Sequence, residues 1–555
     1  MATDNHLNGV SVHWLQTGLI KEIKNNGKDE KATIDDLEDL EKDNGIIRQK
    51  GENITCNRDC NFGAAYVDCL VGEDNVGPLS IVILISWKNN VGDIVDTLVD
   101  YCLGLDLDPK RTYIWIDFLC NNLHRIAESK QKGNYKPREE FEKIVEKTKA
   151  ASSKNVKLLC LMSPWYKPLC LTSTWCIYEM YQYSCNDGNS EINFVMPPEE
   201  RANMIRSAVF NAGGFHQLFQ MLADTSVEKG SDHKEGYAIL DMIRKGPGTE
   251  EVNGWLRDRL KEWIVDEICA DVCKTIVSED DIDRLCTQVG PILMQDSSYA
   301  QAYRIFQHSL NIRENRSEGE SDNENLAIAS VCENIGLVLQ KVDDLDESLN
   351  YLKKALILRE KKLGVYHVDT ADSYNSVGDV YFALEDFDQA LEMYKMTLSI
   401  EEKVHGVNHS RTATAFNNIG KVMDEAGRSD EALVYLQQAL AIREEIFGKN
   451  HVDIATTYNC IGAAMCKKCD YDDALLNYKN ALAIHEEIHG DTDIETAASS
   501  NNVAMVYCDR EEHAVALPYF ERAVEIYSKV LGDSHPHTEV ARESYEEVKK
   551  MIGEI

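Results

Sequence analysis

Apolar and polar residues alternate through the second half of the chain with the spacing of amphipathic helices. One apolar stripe with an i, i+3, i+4, i+7 spacing consists of Phe416, Ile419, Gly420 and Met423. A second stripe runs from Ala432 to Leu440, and a short polar turn around Gly427 separates the two. Apolar residues at every third or fourth position predict one buried face on each helix. We therefore expect a helical hairpin over this stretch.

The hairpin pattern recurs with a period of 42 residues. Small residues hold one place in the first helix: Gly336, Gly378, Gly420, Gly462 and Ala504. Small residues also hold one place in the second helix: Ser348, Ala390, Ala432, Ala474 and Ala516. A further glycine ends each second helix: Gly364, Gly406, Gly448, Gly490 and Gly532. Because one such unit cannot bury its apolar face alone, the period predicts a stacked solenoid, an architecture that holds a partner.

A polar ladder follows the same period, and it consists of Asn375, Asn417, Asn459 and Asn501. Asparagine is a mediocre helix former, so four copies at one helical position need another reason. A carboxamide both donates and accepts hydrogen bonds, which suits it to clamping the backbone of an extended peptide. The alternative interpretation is that these asparagines bridge adjacent helices and fix the stacking. Lys341, Lys421 and Lys467 lie near the same face and favour an acidic ligand.

These positions resemble the tetratricopeptide consensus, which has small residues at its eighth, twentieth and twenty-seventh places and a large residue at its twenty-fourth. The large residues are Leu352, Tyr394, Leu436, Tyr478 and Phe520. The sequence of residues 415–459 resembles the 42-residue repeats of kinesin light chains and nephrocystin-like proteins, and the resemblance covers residues 325–536. The resemblance implies an all-α superhelical solenoid whose asparagine ladder lines a concave groove.

Between Leu79 and Met196 the pattern changes to short apolar runs separated by helical segments. The runs are Leu79–Ser86, Arg111–Asp117, Val156–Met162 and Ile192–Met196, and the helical segments are Val91–Leu105, Arg138–Ser152 and Thr174–Ser184. This alternation predicts right-handed βαβ crossovers, and hence an α/β domain with a parallel sheet and helices on both faces. Any site would then lie outside the carboxyl ends of the strands.

Residues 171–180, Leu-Thr-Ser-Thr-Trp-Cys-Ile-Tyr-Glu-Met, resemble the S-x-W-C-x-x-E segment of Toll/interleukin-1 receptor (TIR) domains. The resemblance covers residues 79–198 and implies a flavodoxin-like fold used in signalling or self-association. In enzymatic members of that family the glutamate of this segment cleaves NAD, and the matching residue is Glu179. Asp117 is the one candidate for a second carboxylate. Trp87 and Lys88 depart from the small polar residues that active members carry after the first strand.

Five segments follow from these patterns. We expect residues 1–75 to be a polar, largely disordered segment and 76–198 to be the TIR-like domain. Residues 199–283 are expected to form a helical extension. Residues 284–536 are expected to form the solenoid, with one degenerate and five full repeats, and residues 537–555 a capping helix.

The function that these patterns favour is that of an adaptor or scaffold that binds a peptide or protein in the groove of the repeats. One alternative is an NAD glycohydrolase whose TIR-like domain is regulated by the solenoid; NAD would then be a substrate, and no bound cofactor is expected. A second alternative is a cargo adaptor like a kinesin light chain, although no long heptad segment precedes the repeats.

Composition narrows the partner classes. The 555 residues carry a net charge of −36, which opposes nucleic-acid and anionic-membrane binding because no basic patch stands out. The longest apolar run, Leu79 to Trp87, is far below the roughly 18 residues of a membrane helix. The chain starts without a signal pattern, and its 17 scattered cysteines indicate reduced thiols. We expect a cytoplasmic protein.

Two short motifs suggest metal chemistry. Residues 485–489, His-Glu-Glu-Ile-His, match the HExxH pattern of zinc proteases. Sister repeats carry Arg359, Glu401 and Arg443 in place of the first histidine, and Gly490 ends the helix at once. Cys466 and Cys469 form a lone CxxC in a repeat turn. We expect neither motif to hold a metal.

Overall fold

The computed structural model describes residues 8–37, 45–52, 65–86, 88–116, 157–185, 192–210, 226, 234–270, 273–316, 322–533 and 535–553. The chain divides into two compact units, residues 1–289 and 290–555. We refer to them as the sheet unit and the repeat unit.

The sheet unit contains six strands in the order β2-β1-β4-β3-β5-β6. Their bounds are Asn8–Ser11 (β1), Val76–Pro78 (β2), Ile81–Leu84 (β3), Tyr113–Trp115 (β4), Lys157–Leu161 (β5) and Ile192–Val195 (β6). The four predicted strands are confirmed as β3 to β6, and they pair in parallel. Every residue of β3 and β4 is buried, as expected for strands covered on both faces.

The sheet is mixed rather than wholly parallel, because β1 pairs antiparallel with both β2 and β4. Residues 1–75, expected to be largely disordered, thus contribute an inner strand. β1 has only four residues, too few for an alternation to be visible in the sequence. Gly9 is required there, because a Cβ atom would lie 2.9 Å from the backbone carbon of Ile114 in β4.

The helices of the sheet unit include the predicted ones after β3 and β5, which the structure confirms as Val91–Gly104 and Thr174–Ser184. The predicted helix Arg138–Ser152 lies outside the described residues. The other longer helices are Pro198–Phe210, Lys234–Lys245 and Thr249–Cys269, and Glu279–Gln295 spans the boundary of the units. The shorter helical segments are Val12–Trp14, Leu15–Leu19, Ile20–Asn25, Ile34–Leu37, Ile46–Gly51, Tyr66–Cys69, Leu169–Thr172 and Cys273–Ile276.

The repeat unit is helical throughout its described residues, and the predicted solenoid is confirmed. We call the two helices of each repeat helix A and helix B. Repeat 1 is Asp322–Lys341 and Leu345–Leu363, repeat 2 is Val368–Ala383 and Phe387–Val404, repeat 3 is Ser410–Glu425 and Ser429–Phe447, repeat 4 is Val452–Lys467 and Tyr471–His489, and repeat 5 is Ile494–Asp509 and His513–Leu531. Tyr299–Arg316 precedes them and Pro536–Gly553 follows.

Small and large residues of the repeat pattern meet inside each hairpin. A Cβ atom on Gly420 would lie 2.6 Å from Leu436 Cγ, and one on Gly336 would lie 2.5 Å from Leu352 Cγ. The glycine of helix A is therefore set by the large residue of helix B. Gly448 serves a different purpose, since its φ of +77° ends helix B in a conformation that disfavours side chains.

Among the described residues, no helix is both long enough and apolar enough to cross a membrane.

Candidate functional site

The first helices of the repeats present a continuous stripe of accessible positions. It comprises residues 330, 334, 337 and 341 and their equivalents every 42 residues through 509, all of which are exposed or half-buried. We call this stripe the A-helix face. Helix A of repeat 3 also packs against helix A of repeat 4, so the stripes of successive repeats adjoin.

The asparagine ladder lies beside this face, one residue before its second position. Asn417 is only 5% exposed, and its Nδ2 donates to Cys460 Sγ of repeat 4 at 3.8 Å. Asn375 Oδ1 accepts from Asn418 Nδ2 of repeat 3 at 2.8 Å, and Asn375 Nδ2 donates to Asp379 Oδ2 at 3.1 Å. These contacts between successive repeats favour a stacking role for the two asparagines.

Three rungs of the ladder also leave an acceptor unused. Asn417, Asn459 and Asn501 each carry a buried Oδ1 without a hydrogen-bond partner among the described residues. A buried acceptor without a partner costs about 1–3 kcal/mol. The three oxygens stand at one register position of three successive repeats, so a donor on each would recover that cost.

The first rung of the ladder is not an asparagine, because position 333 in repeat 1 holds a glutamate. Glu333 binds Arg359 of helix B through two bonds, Nη1 to Oε1 at 2.9 Å and Nη2 to Oε2 at 2.6 Å. Only the 42-residue spacing from Glu333 to Asn375 indicates in the sequence that Glu333 belongs to the ladder.

Helix B carries a second buried polar ladder at the position of Arg359. Its members are Arg359, Glu401, Arg443, His485 and Tyr527, each between 1% and 6% exposed. Glu401 accepts from Arg411 Nε at 2.8 Å. One position of the repeat thus holds a cation, an anion, a histidine or a phenol.

The HExxH histidine belongs to this buried ladder. His485 Nδ1 lies 2.9 Å from Ser499 Oγ and 3.2 Å from the carbonyl oxygen of Glu495, both in the next helix. Burial lowers the pKa of His485, and the ring stands 6.0 Å from that of His489. Among the described residues, no three His, Cys, Asp or Glu side chains cluster as metal ligands. The ring of His485 therefore joins two repeats.

Two of the three lysines expected near a ligand, Lys421 and Lys467, differ in their surroundings. Lys467 Nζ lies 3.2 Å from Asp424 Oδ2 and 2.8 Å from Glu425 Oε2, so neighbouring carboxylates already engage it. Lys421 is exposed and its Nζ stands 4.4 Å from the ring centroid of Phe382. Of the two, Lys421 is the cation that a ligand on the A-helix face can reach.

In the sheet unit the strand order fixes where a crevice belongs. Counted along the chain, the parallel strands β4-β3-β5-β6 run second, first, third, fourth, and their topological switch point lies between β3 and β5. Asn89 bridges the carboxyl ends of these strands: its Oδ1 accepts from the amide nitrogen of Ser86 at 2.8 Å, and its Nδ2 donates to the carbonyl oxygen of Ser163 at 3.1 Å. Asn89 is 2% exposed, so a buried carboxamide ties the two strand ends together.

Glu179 is 4% exposed on the helix Thr174–Ser184. Burial raises the pKa of Cys160 in β5, and the charge of Glu179 is among the smaller causes, which places the two residues near each other. Asp117 lies outside the described residues. The charge of Glu179 thus acts on a residue of β5, the strand that precedes its helix.

Comparison with family models identifies the repeats. The tetratricopeptide repeat model matches residues 325–403, 377–445, 453–529 and 495–554. The C-terminal part of the chain therefore carries tetratricopeptide repeats.

Comparison with solved structures finds partial similarities to proteins from several sources. BtubC (BKLC) from P. vanneervenii is 20% identical and aligns over 43% of this chain and 94% of its own, with a TM-score of 0.37. The nearly identical TPR-like repeats of a putative kinesin light chain from Podosopora anserina are 16% identical over 38% of this chain and 98% of theirs, with a TM-score of 0.33. A Rap protein complexed with Competence and Sporulation Factor is 15% identical over 64% and 97%, with a TM-score of 0.35. These similarities are too low to carry an argument about function.

A comparison with curated proteins found no significant match.

Proposed function

We propose that this protein is an adaptor that binds an extended segment of a partner protein on the A-helix face. The observation that carries the proposal is the set of three buried Oδ1 atoms, on Asn417, Asn459 and Asn501, that stand in register without partners. A peptide backbone presents N–H donors, and these asparagines present the matching acceptors.

The stacking and binding roles of the ladder are compatible. Asn417 uses its Nδ2 toward Cys460 of the next repeat, and its buried Oδ1 has no partner among the described residues. The contact to the next repeat fixes the orientation of the carboxamide before a ligand arrives. Such pre-organisation lowers the entropic cost of binding.

We propose an assembly or signalling role for the sheet unit, as a TIR-like domain that self-associates. The order second, first, third, fourth of its parallel strands supports a flavodoxin-like arrangement. The bridge made by Asn89 occupies the switch point where a nucleotide would bind, and this favours association over catalysis.

We also propose a cytoplasmic location. Its support is that the cysteines in the described part of the chain are free thiols, the state that a reducing compartment maintains.

The test of the adaptor role pans a phage-displayed library of random dodecapeptides against the full chain. We expect enriched peptides that lose about tenfold or more in affinity for the double variant Asn459→Ala, Asn501→Ala, because two acceptors are removed. Asn477→Ala is the matched control, since Asn477 is half-buried on helix B of repeat 4, outside the asparagine ladder. An absence of enriched peptides, or affinities that the double variant leaves unchanged, would refute the proposal.

A second candidate function is NAD glycohydrolysis by the sheet unit. The observation in its favour is the buried carboxylate of Glu179 close to the end of β5, since a carboxylate shielded from water can stabilise an oxocarbenium-like transition state. The assay follows nicotinamide release from NAD by the full chain, in the absence and presence of the enriched peptides. Turnover that Glu179→Gln abolishes would support this function, and an absence of turnover would leave the adaptor role alone.

A further inference from the structure

Two arginines of the helix B ladder have the same framework of contacts. Arg359 in repeat 1 and Arg443 in repeat 3 are 6% and 4% exposed. Each donates through Nη1 to the backbone carbonyl ten residues later and to the hydroxyl fourteen residues later. For Arg359 these are Asp369 O at 3.2 Å and Ser373 Oγ at 2.6 Å, and for Arg443 they are Asp453 O at 2.7 Å and Thr457 Oγ1 at 2.6 Å.

The two arginines differ in their carboxylate. Glu333 accepts two hydrogen bonds from Arg359, whereas the equivalent of Glu333 in repeat 3 is the neutral Asn417. Nη2 of Arg443 instead reaches Thr414 Oγ1 at 3.2 Å, and its Nε has no partner among the described residues. Among the described residues, Arg443 is therefore a buried guanidinium to which no carboxylate is bound.

The pKa values follow this difference. Burial lowers the pKa of Arg359, but its hydrogen bonds to Glu333 and the nearby carboxylates outweigh burial and raise that pKa overall. Burial lowers the pKa of Arg443, and the charges of Asp453 and Cys460 do not offset it. Asp453 is the larger of these two charges, and its carboxylate is 43% exposed. A buried charge without a partner is costly, so an external carboxylate would be favoured at Arg443.

The surroundings of Arg443 lead to the A-helix face. Thr414, which accepts the bond from Nη2, is exposed on that face, as is Lys421. The charges of Lys421 and Arg443 both lower the pKa of Cys460, which burial raises, so both cations lie near that thiol. The nearby carboxylates have other partners: Asp424 binds Lys467 and Ser429, and Asp379 binds Tyr394 and Asn375.

We propose that Arg443, with Thr414 and Lys421, forms an acid-recognising subsite, in which an Asp or Glu side chain of the bound segment supplies to repeat 3 the carboxylate that Glu333 supplies to repeat 1. This inference rests on the proposed adaptor function and specifies its partner: an extended segment with an acidic residue opposite repeat 3. The incoming carboxylate accepts the hydrogen bond that Nη2 now gives to Thr414. Lys421 adds a charge at the entrance, on a chain whose net charge of −36 otherwise repels acidic ligands.

The experiment places the missing carboxylate into the protein itself. Asn417→Glu reproduces in repeat 3 the pair that Glu333 and Arg359 form in repeat 1. Asn417→Gln has nearly the same size without the charge and serves as the matched control. The probe is the dodecapeptide library, panned separately against the full-length wild type and both variants.

We expect wild-type selections to be enriched in peptides with an acidic residue at one fixed position. Asn417→Glu should weaken these peptides by at least tenfold and raise the unfolding temperature, because the internal carboxylate occupies the subsite. Asn417→Gln displaces the Oδ1 acceptor without adding a charge, so it should weaken acidic and neutral peptides alike, keep the acidic preference among those that still bind, and gain no stability. A contribution of Arg443 to folding alone would not change which peptides are selected.

The outcomes separate the two proposals. Enriched peptides without an acidic preference would overturn the subsite and leave the adaptor function standing. The same acidic preference in wild type and Asn417→Glu would also overturn the subsite. An absence of any enriched peptide would overturn the adaptor function, and the subsite with it.

Discussion

Side-chain contacts in the repeat unit recur at equivalent positions of successive repeats, whereas those in the sheet unit have no equivalent positions to compare. In the sheet unit, the bridge of Asn89 between the ends of β3 and β5 occurs once. In the repeat unit, one framework recurs every 42 residues, so the exchange of Glu333 for Asn417 can be compared directly with an otherwise equal site. In a repeat protein, a contact that departs from the repeated pattern can therefore be judged against its own copies. A single-copy contact gives no such internal reference.

The largest expected effect tests whether the two arginine sites really differ. Arg359→Met leaves the carboxylate of Glu333 without its partner, and the side chain of Glu333 is only 19% exposed. We expect a loss of about 3–5 kcal/mol in the stability of repeats 1 and 2. Arg443→Met removes a cation that has no bound carboxylate, and we expect it to be close to neutral. Hydrogen exchange of the two repeats measures both values.

Equal losses of stability at the two positions would contradict the proposed difference between the two arginine sites. They would mean that Arg443 is as well compensated as Arg359 despite the absence of a bound carboxylate. The double variant Glu333→Gln, Arg359→Met is the control for the first site, because it removes both charges and should recover part of the lost stability.

How much the sequence predicts also differs between the two units. The solenoid is predicted from ladders such as Gly336 to Gly462, because five copies of one pattern reinforce each other. Strands β3 to β6 are predicted because they are continuous apolar runs. β1 is not, since its four residues include only one large apolar side chain, Val10, and carry no visible period. Pairing with strands distant in the chain fixes β1.

The candidate site is predicted only in part, for a related reason. The asparagine ladder is visible as a repeated residue type, but the pairing of Glu333 with Arg359 joins two different ladders 26 positions apart. Sequence periodicity shows which residues are equivalent and not which ladders touch. Whether Asn417 lies exposed or buried depends on the stacking of helix A against the next helix A, which only the three-dimensional structure gives.

The second prediction concerns the single-copy contact of the sheet unit. Asn89→Ala removes the acceptor of the Ser86 amide and the donor to the Ser163 carbonyl, and we expect a loss of about 2–3 kcal/mol. The neighbouring Asn90→Ala is the control: Asn90 caps the helix Val91–Gly104 by accepting from the Asp93 amide at 2.7 Å, and its loss costs about 1 kcal/mol. Urea unfolding followed by the fluorescence of the sheet unit compares them. A smaller loss for Asn89→Ala than for Asn90→Ala would contradict a structural bridge.

The third prediction compares a glycine from each unit. Gly420→Ala adds a Cβ atom within 2.6 Å of Leu436 Cγ in a packed hairpin, and we expect a loss of about 1–2 kcal/mol. Gly254→Ala, in the helix Thr249–Cys269, adds a Cβ atom with nothing within 4 Å, and we expect a gain of about 1 kcal/mol from helix propensity. Opposite signs in thermal unfolding are the expected result. A gain at Gly420 would mean that the close approach of the two helices is not a constraint.

The last prediction uses pH to test His485, the histidine of the HExxH motif. Burial lowers its pKa in the folded protein below the value of 6.5 of the unfolded chain, so the unfolded chain binds the proton first. The neutral ring therefore favours folding above pH 6.5, and this contribution falls as the pH drops from 6.5 to the lowered pKa, with a slope of at most about 1.4 kcal/mol per pH unit. His485→Gln should flatten the acid side of the stability profile of repeats 4 and 5. His489→Gln, whose side chain is exposed at the end of the same helix, is the control and should keep the wild-type slope. A slope that His485→Gln leaves intact would mean that other groups destabilise these repeats in acid and that the buried ring is not the link between them.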